Sequence, residues 1–264
     1  MRTQLPDLLV DRDDTGVVVV TLDAPARRNA MSAAMTGSWE TLMGELRHDA
    51  DVRVVVVTGA GGAFCSGGDL GWIGGEPDAS VARLRQRMLP FYRTWLSIRD
   101  LEVPTIAAVN GAAIGAGLAL ALACDLRYAA ADARLAAPFT SLGMHPGMAS
   151  TWLLPQVAGL GLARELLLTG RSLSGAEAAE LGMVNRAFPP DRLPEEALAV
   201  ARAVAAAAPV ATRLTKAALV DGFATYRDAL QWEALAQPVT LATADLQEGL
   251  AAARERRPPR FSGT

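Results

Sequence analysis

The stretch that decides the fold is residues 103–125, VPTIAAVNGAAIGAGLALALACD. It carries no charged residue between Glu102 and Asp125 and is long enough on paper to span a membrane. Its interior argues against one continuous helix, because Asn110-Gly111 is a turn pair and each glycine in a helix interior costs roughly 1 kcal/mol relative to alanine. The sequence therefore predicts a strand, a turn and then a helix, with no membrane span.

Two runs of apolar residues earlier in the chain are similar to the one that begins this stretch. Val17–Leu22 and Val52–Thr58 are rich in β-branched residues and are bounded by turn residues, as is the run Thr105–Val109. Their apolar residues are continuous rather than alternating, which is typical of strands buried on both faces of a parallel sheet. Ser32–Asp49 has the apolar spacing of a helix, with Ser32 placed to cap it. This order of strands and helices predicts an α/β fold.

The chain changes character after about residue 190. No strand-like run follows, and helical periodicity continues through Leu193–Ala208, Ala211–Phe223 and Tyr226–Arg257. Pro209 is expected to stop the first of these helices, because proline cannot continue a helix. We therefore expect a strand-and-helix core followed by an all-helical portion that serves as an assembly surface.

The composition sets the class of protein. Of the 264 residues, 51% are hydrophobic and 20% are charged, which excludes an intrinsically disordered chain. The net charge of −3 argues against nucleic-acid binding, so small molecules or proteins are the expected partners. The first residues contain no apolar signal segment, so we expect a cytoplasmic location. Cys65 and Cys124 lack the spacing of a metal or redox site and are expected to be buried thiols.

Two glycine-rich segments, residues 59–70 and 110–117, each follow a predicted strand. Small residues there let a ligand approach main-chain N–H groups, and a helix start adds unpaired donors and a dipole that favours negative charge. Two such turns facing each other could hold an oxyanion. The alternative is that the glycines only permit tight packing.

Other glycine-rich motifs fit these segments less well. A phosphate-binding loop of the Walker A type needs a lysine that neither segment has. A dinucleotide fingerprint needs a third glycine where Leu120 stands, and a nucleophile elbow needs a glycine where Phe64 stands. With these three motifs excluded, the remaining functional interpretation is that backbone N–H groups bind a negatively charged oxygen.

In their order along the chain, these segments resemble the crotonase (enoyl-CoA hydratase/isomerase) superfamily. The resemblance covers nearly the whole chain and is carried by residues 22–31, 63–70, 104–126, 166–171, 178–184, 248–249 and 256–261. It implies a crotonase-like spiral of ββα turns, with an acyl-CoA-binding core over residues 1–195 and a helical oligomerisation region over residues 196–264. It also implies a homotrimer or a dimer of trimers.

The resemblance further implies the ligand, an acyl-CoA or enoyl-CoA thioester. Coenzyme A would then be part of the substrate, with no separate cofactor and no metal. The oxyanion hole of the family falls on the backbone N–H groups of Gly68 and Ala116, which would polarise the thioester carbonyl. Positions that match those near coenzyme A in the family are Arg28, Ala30, Cys65 and Ser66.

The C-terminal end could complete the coenzyme A site across a subunit boundary. The resemblance implies that Phe261, acting from a neighbouring subunit, covers the adenine. Four arginines lie close by and could meet the phosphates of coenzyme A, and the alternative is a solvated helix end. They are Arg254, Arg256, Arg257 and Arg260.

The chain departs from this family at the positions of the acid and the base. Hydratases of the family use two glutamates, one to activate water and one to supply the proton. Those positions are occupied here by Ala119 and Phe139, neither of which can move a proton. An aspartate that some relatives use instead is replaced by Pro146. The sequence therefore predicts an oxyanion hole without the usual proton-transfer residues.

Two residues are candidates to replace the missing carboxylates. His145 closely follows the second lost glutamate, and an imidazole exchanges protons near neutral pH. Glu76 lies in the loop after Asp69 and would have to turn inward, the alternative being a solvated loop carboxylate. The larger apolar residues nearby either line an acyl pocket or pack in the core; they are Trp72, Met88, Phe91 and Trp95.

Three functions therefore stay open on the sequence. The first is a family member that binds acyl-CoA thioesters through a backbone oxyanion hole but does not carry out two-glutamate hydration. The second is a non-catalytic acyl-CoA-binding or scaffold protein that uses the same pocket. The third is an enzyme with relocated acid and base groups, acting as a decarboxylase, a retro-aldolase or a C–C hydrolase.

Overall fold

Two β-sheets form the framework of the protein. The computed structural model describes residues 1–220 and 222–264, with the side chains of these residues except that of Leu70. In chain order the strands are β1 (Arg2–Leu5), β2 (Leu8–Arg12), β3 (Val17–Leu22), β4 (Val54–Gly59), β5 (Ala63–Cys65), β6 (Thr105–Val109), β7 (Ala112–Ile114), β8 (Leu126–Ala130), β9 (Arg134–Ala136), β10 (Ser172–Ser174) and β11 (Arg186–Phe188). The larger sheet has the order β1-β2-β3-β4-β6-β8-β11, and the smaller sheet has the order β10-β9-β7-β5.

The larger sheet is parallel over most of its width. β1, β2 and β3 pair antiparallel at one edge, and every pairing from β3 to β11 is parallel. Four successive residues of β4 are buried, Val54 to Val57, so side chains on both faces are covered. This burial confirms the predicted parallel strands, although the run predicted from Val52 begins two residues later.

Helices cover both sheets and make up the C-terminal part of the chain. In chain order they are α1 (Ala33–His48), α2 (Leu70–Gly74), α3 (Val81–Leu96), α4 (Ala116–Ala123), α5 (Ser150–Thr169), α6 (Gly175–Glu180), α7 (Leu193–Ala205), α8 (Pro209–Val220), α9 (Tyr226–Leu241) and α10 (Ala244–Glu255). The predicted start of α1 is confirmed, because the hydroxyl of Ser32 accepts a hydrogen bond from the amide of Met35 at 3.1 Å.

The fold repeats a unit of two strands and a helical connection. β4 and β5 are followed by α2 and α3, β6 and β7 by α4, and β8 and β9 by α5. The first strand of each unit lies in the larger sheet and the second lies in the smaller one. This repetition is a ββα spiral, and it confirms the expected fold class.

The stretch from 103 to 125 folds as predicted, into β6, β7 and α4. All eight residues of α4 are buried, so no side of this helix contacts water and its sequence has no polar face. No single helix in the described ranges is long and apolar enough to cross a membrane. Only α7 and α8 taken together reach that length and composition, and the chain bends by 109° between them.

The C-terminal helices differ in how they are packed. α7 packs across the larger sheet and buries Ala197, Ala201 and Ala205 at helical spacing. The helical periodicity predicted over Tyr226–Arg257 is confirmed, and it is divided between two helices, because the chain breaks after α9 and Thr243 caps α10 by accepting from the amide of Leu246. The predicted helix Ala211–Phe223 corresponds to α8 and includes residue 221, which lies outside the described residues. The domain boundary near residue 195 stays a prediction.

A buried ion pair fastens α8 to the core. The ammonium of Lys216 lies 2.9 Å from Oδ2 of Asp125 and donates to the carbonyl of Val103 at 2.8 Å. The same carboxylate oxygen accepts from the amide of Thr105 at 2.7 Å. Asp125 lies two residues after α4, so this cluster joins the end of α4 and the start of β6 to α8.

The two cysteines are buried and free, as predicted. Burial raises the pKa of Cys65 to about 12 and that of Cys124 to about 12. Both thiols are therefore protonated at neutral pH and behave as small apolar side chains.

Candidate functional site

A cavity of about 320 Å³ lies between the two glycine-rich turns and helix α3. Its walls combine backbone from the turns with apolar side chains from α2, α3 and the segment after β9. The lining residues are Ser66, Gly67, Gly68, Trp72, Ile73, Met88, Phe91, Tyr92, Ile114, Gly115, Ala116, Pro138, Phe139, Leu142, Met144, His145, Gly147 and Met148. A cavity of this size, mostly apolar with a few polar groups, is typical of a small-molecule site.

The two glycine-rich turns are in direct contact. Gly67 has a φ of +93°, and a Cβ atom there would lie 2.6 Å from the carbonyl oxygen of Ile114. A Cβ atom on Gly117 would lie 2.1 Å from the carbonyl oxygen of Cys65. Only glycine fits at either position, because both conflicts are with backbone atoms.

This contact places two unused backbone donors on one wall of the cavity. Ala116 is the first residue of α4, so its N–H group has no acceptor within the helix. Next to Gly68, the amide of Met31 donates to the carbonyl of Gly67 at 2.9 Å, and the N–H group of Gly68 is not used in that bond. No described residue accepts from either N–H group. Together with the dipole of α4, they suit an oxygen that gains negative charge.

The two positions that the resemblance assigns to the family glutamates contain no proton-transfer group. Ala119 is completely buried in α4 and does not line the cavity. Phe139 does line it, and its ring lies 3.6 Å from where a Cβ atom of Gly115 would be. Among the described residues that line the cavity there is no carboxylate.

His145 is one of two titratable side chains on the described cavity wall. Its Nδ1 lies 2.8 Å from the carbonyl oxygen of Pro146. Because a carbonyl oxygen can only accept, Nδ1 carries the proton, and Nε2 of the neutral ring is left as an acceptor. The imidazole is exposed at the rim of the cavity.

Glu76 lies outside the cavity wall. Its carboxylate accepts from Arg83 at 2.5 Å and from Arg87 at 3.3 Å. The hydrogen bond from Arg83 holds the pKa of Glu76 below its ordinary value. The side chain therefore ties the segment after α2 to α3 instead of turning toward the glycine-rich turns. Asp69 has a structural role as well, because its carboxylate caps α2 by accepting a hydrogen bond from the amide of Trp72 at 2.9 Å.

The aromatic residues separate into cavity wall and core. Trp72 and Phe91 line the cavity with ring centroids 5.0 Å apart, and the guanidinium of Arg87 covers the Trp72 ring at 4.5 Å. Met88 lines it as well. Trp95 is buried elsewhere, stacked on Trp39 at 4.9 Å, so its role is core packing.

The positions assigned to coenzyme A come together beside the cavity. The amide of Ser66 donates to the carbonyl of Arg28 at 3.0 Å, which joins the loop before α1 to the first glycine-rich turn. Arg28 is exposed, and Ala30 is half-buried. The side chain of Cys65 is buried, so this residue presents only backbone to a ligand.

The C-terminal positions lie apart from this cluster within the chain. Phe261 is half-buried against α10, with its ring 3.5 Å from where a Cβ atom of Gly249 would be. Arg257 donates to Glu248 at 2.6 Å and to Glu255 at 2.6 Å. Hydrogen bonds from Arg257 and from the amide of Arg260 lower the pKa of Glu248 to about 2. Arg257 is thus engaged within its own helix end.

Sequence reasoning missed the roles of Asn29 and Tyr92. Asn29 is fully buried and joins three segments, since it accepts from the amide of Ala24 at 2.9 Å and donates to the carbonyl of Ala63 at 2.8 Å. Tyr92 lines the cavity from α3. A signal for Tyr92 was present, because it lies four residues after Met88 and so on the same helix face.

Comparisons with known proteins identify the family. The sequence profile described as enoyl-CoA hydratase/isomerase matches residues 12–264. The chain is 37% identical over 271 residues to enoyl-CoA hydratase domain-containing protein 2, mitochondrial, of Mus musculus, which covers 99% of this chain and 90% of that protein.

Solved structures agree with the sequence comparison. The crystal structure of enoyl-CoA hydratase from Bacillus anthracis is similar with a TM-score of 0.91 and 36% identity, covering 98% of this chain and 100% of that one. The enoyl-CoA hydratase structure from Mycobacterium smegmatis has a TM-score of 0.89 and 32% identity, covering 97% of this chain and 99% of that one. The chain therefore belongs to the enoyl-CoA hydratase/isomerase family and has the crotonase fold.

Proposed function

We propose that the protein binds acyl-CoA or enoyl-CoA thioesters with the thioester carbonyl oxygen between the amides of Gly68 and Ala116. The observation that carries this proposal is the pair of unused N–H donors on one wall of a mainly apolar cavity. A polarised carbonyl oxygen gains from two such donors, and the apolar walls suit an acyl chain. Membership of the family supports coenzyme A as the carrier of that acyl group.

The same geometry supports a protein that does not hydrate enoyl-CoA by the two-glutamate route. Hydration needs one group to activate water and another to supply a proton. Ala119 and Phe139 supply neither, and Glu76 is held by Arg83 and Arg87 outside the cavity. A purely binding or scaffold role uses the pocket without these groups.

An enzyme with relocated groups is the second candidate function. The observation that favours it is the presence of a phenol and an imidazole, Tyr92 and His145, in the cavity that also contains the two amides. Decarboxylation, retro-aldol cleavage and C–C hydrolysis all place charge on a thioester enolate, which the two amides would stabilise.

Titration calorimetry with butyryl-CoA and with free coenzyme A tests the binding proposal. Ala116→Pro removes the N–H donor at a position where proline is well tolerated, the first residue of a helix. We expect it to weaken butyryl-CoA binding about tenfold, the value of one hydrogen bond near 1.4 kcal/mol, and to leave free coenzyme A unchanged. Ala116→Ser keeps the amide and is the matched control. Absence of butyryl-CoA binding by the wild-type protein contradicts the proposal.

We also propose that the protein forms the homotrimer or dimer of trimers of its family. The support is helix α9, which buries none of its residues within the chain. Leu235 and Val239 are exposed one turn apart on the same face of this helix, and exposed apolar patches mark interaction surfaces. Light scattering on the wild type and on Leu235→Lys tests this, with a monomeric wild type as the contradicting result. The cytoplasmic location and the need for no separate cofactor stay predictions.

A further inference from the structure

We propose that the phenol of Tyr92 is the proton donor of this site, giving a hydrogen bond and then a proton to the enolate of the bound thioester. The inference rests on the proposed binding function, because it takes the thioester to lie at Gly68 and Ala116. It gives Tyr92, a residue of α3, the proton-donating role that a glutamate has in hydratases of the family and that Ala119 and Phe139 cannot perform.

The first support is the position of Tyr92. Tyr92 lines the same cavity as Gly68 and Ala116, and its ring neighbours that of Phe91 with centroids 6.1 Å apart. Gly147 makes room for the hydroxyl, because a Cβ atom there would lie 2.5 Å from Oη of Tyr92. The φ of Gly147 is not in the left-handed region, so it is this close approach that favours glycine.

The second support is that the hydroxyl is uncommitted. Within the described ranges no residue forms a hydrogen bond with Oη of Tyr92, although the residue is half-buried. A hydroxyl on a half-buried side chain gains from a hydrogen-bond partner, and here a ligand in the cavity can supply it. The other two tyrosines, Tyr128 and Tyr226, do not line the cavity.

The third support is the electrostatic setting of the wall. Burial raises the pKa of Tyr92, so the phenol keeps its proton at neutral pH and acts as a donor. The other titratable group on the described wall is His145, whose Nε2 is an acceptor when the ring is neutral. With no carboxylate among the lining residues, Tyr92 is the acidic O–H group that an enolate in this cavity would meet.

The proposed step moves one proton. The enolate carries its charge on the oxygen held by the two amides, and its α-carbon is nucleophilic. The electron pair of the enolate forms a C–H bond with the Tyr92 proton while the carbonyl double bond is restored. The pair of the broken O–H bond stays on the phenolate oxygen, which then takes a proton from water.

Acetoacetyl-CoA is the probe, because it ionises at its α-carbon to an enolate that absorbs in the ultraviolet. A pH titration of the bound probe gives the pH at which half of it is enolate. We expect Tyr92→Phe to disfavour the enolate about tenfold, because one hydrogen bond to a charged group is lost, and to shift that midpoint upward. Butyryl-CoA, which is not ionised, should bind both proteins equally.

Two further variants sharpen the test. Tyr128→Phe removes the same hydroxyl outside the cavity, where Tyr128 packs on Phe188 at 6.1 Å, and should titrate like the wild type. Gly147→Ala should displace the phenol and shift the midpoint as Tyr92→Phe does, with no additional shift in the double variant. Circular dichroism confirms that each variant is folded.

The outcomes separate the two proposals. A midpoint for Tyr92→Phe equal to that of the wild type, with butyryl-CoA bound normally, overturns the role of Tyr92 and leaves the binding function standing. Failure of the wild-type protein to bind butyryl-CoA overturns the binding function and the role of Tyr92 with it. An upward shift in Tyr92→Phe that Tyr128→Phe lacks supports both.

Discussion

The two walls of the cavity are held in place by different means. On the glycine wall, formed by the two turns, Cβ atoms at Gly67 and Gly117 would come within 2.6 and 2.1 Å of backbone oxygens. On the aromatic wall, formed by α2 and α3, Trp72 and Phe91 pack as side chains, and a Cβ atom on Gly74 meets nothing within 4 Å. The first wall is fixed by backbone packing and the second by side chains that can change.

This difference bears on the proposal of thioester binding without two-glutamate hydration. A backbone N–H donor depends on the path of the chain, so an alanine at position 116 keeps the donor that we propose for the carbonyl oxygen. A carboxylate depends on the side chain itself, and Ala119 and Phe139 have none at the positions that the resemblance assigns to the two glutamates. We therefore propose that the glycine wall sets where a carbonyl oxygen binds and that the other side chains of the cavity set which reaction follows.

The largest effect is expected from a methyl group on the glycine wall. Gly117→Ala places a Cβ atom against the backbone of Cys65, so the two turns must separate, at a cost of about 3 kcal/mol or more. Urea unfolding measures the cost, and butyryl-CoA titration should show that binding is lost.

Gly74→Ala, at the last residue of α2, is the matched control. Its Cβ atom has open space, so stability should stay within about 0.5 kcal/mol of the wild type. Equal unfolding free energies for Gly117→Ala and Gly74→Ala would contradict this, because they would show that the glycine wall tolerates an added methyl group as well as α2 does.

The next effect concerns the support behind the glycine wall. Lys216→Met leaves Asp125 without its buried ion-pair partner at the end of α4, and we expect a loss of about 3 kcal/mol in unfolding free energy. Glu195→Gln removes an exposed pair with Arg192 and should cost less than about 0.5 kcal/mol. Similar unfolding midpoints for the two variants would mean that the Lys216 cluster does not support α4.

The smallest effect is expected next to the aromatic wall, at Glu76, whose carboxylate accepts from Arg83 and Arg87 of α3. Because Arg83 lowers the folded-state pKa of Glu76, the stabilisation is present above the ordinary carboxyl pKa and disappears as the pH falls through the lowered value. Glu76→Gln should make amide exchange faster in residues 72–80 at neutral pH, because it removes both arginine contacts. Butyryl-CoA affinity should change less than about twofold, since surface pairs contribute little. Unchanged exchange would show that the pair does not hold this segment.

The sequence predicted those parts of the molecule whose signals are local. β6 and α4 were predicted from apolar runs interrupted by Asn110-Gly111, and the start of α1 from the cap at Ser32. The break between α9 and α10 was missed although Thr243 is a local capping signal, because apolar spacing continues on both sides of it.

The candidate site was predictable only where it depends on backbone. The two glycine-rich turns give the donors directly. The contact of Tyr92 with Gly147 joins positions 55 residues apart in sequence, and the engagement of Glu76 depends on how α2 and α3 pack. Such side-chain pairings arise from tertiary packing, which no local pattern contains.

The central claim is that this protein binds acyl-CoA thioesters and does not hydrate enoyl-CoA by the two-glutamate route. The direct measurement is the steady-state hydration of crotonyl-CoA by wild-type protein that has been shown to bind butyryl-CoA. We predict a rate no higher than that of the buffer alone, because the described cavity wall has no carboxylate acid and base. Efficient hydration by the wild-type protein would contradict this prediction, and its persistence in His145→Ala and Glu76→Gln would show that neither residue is the acid or the base.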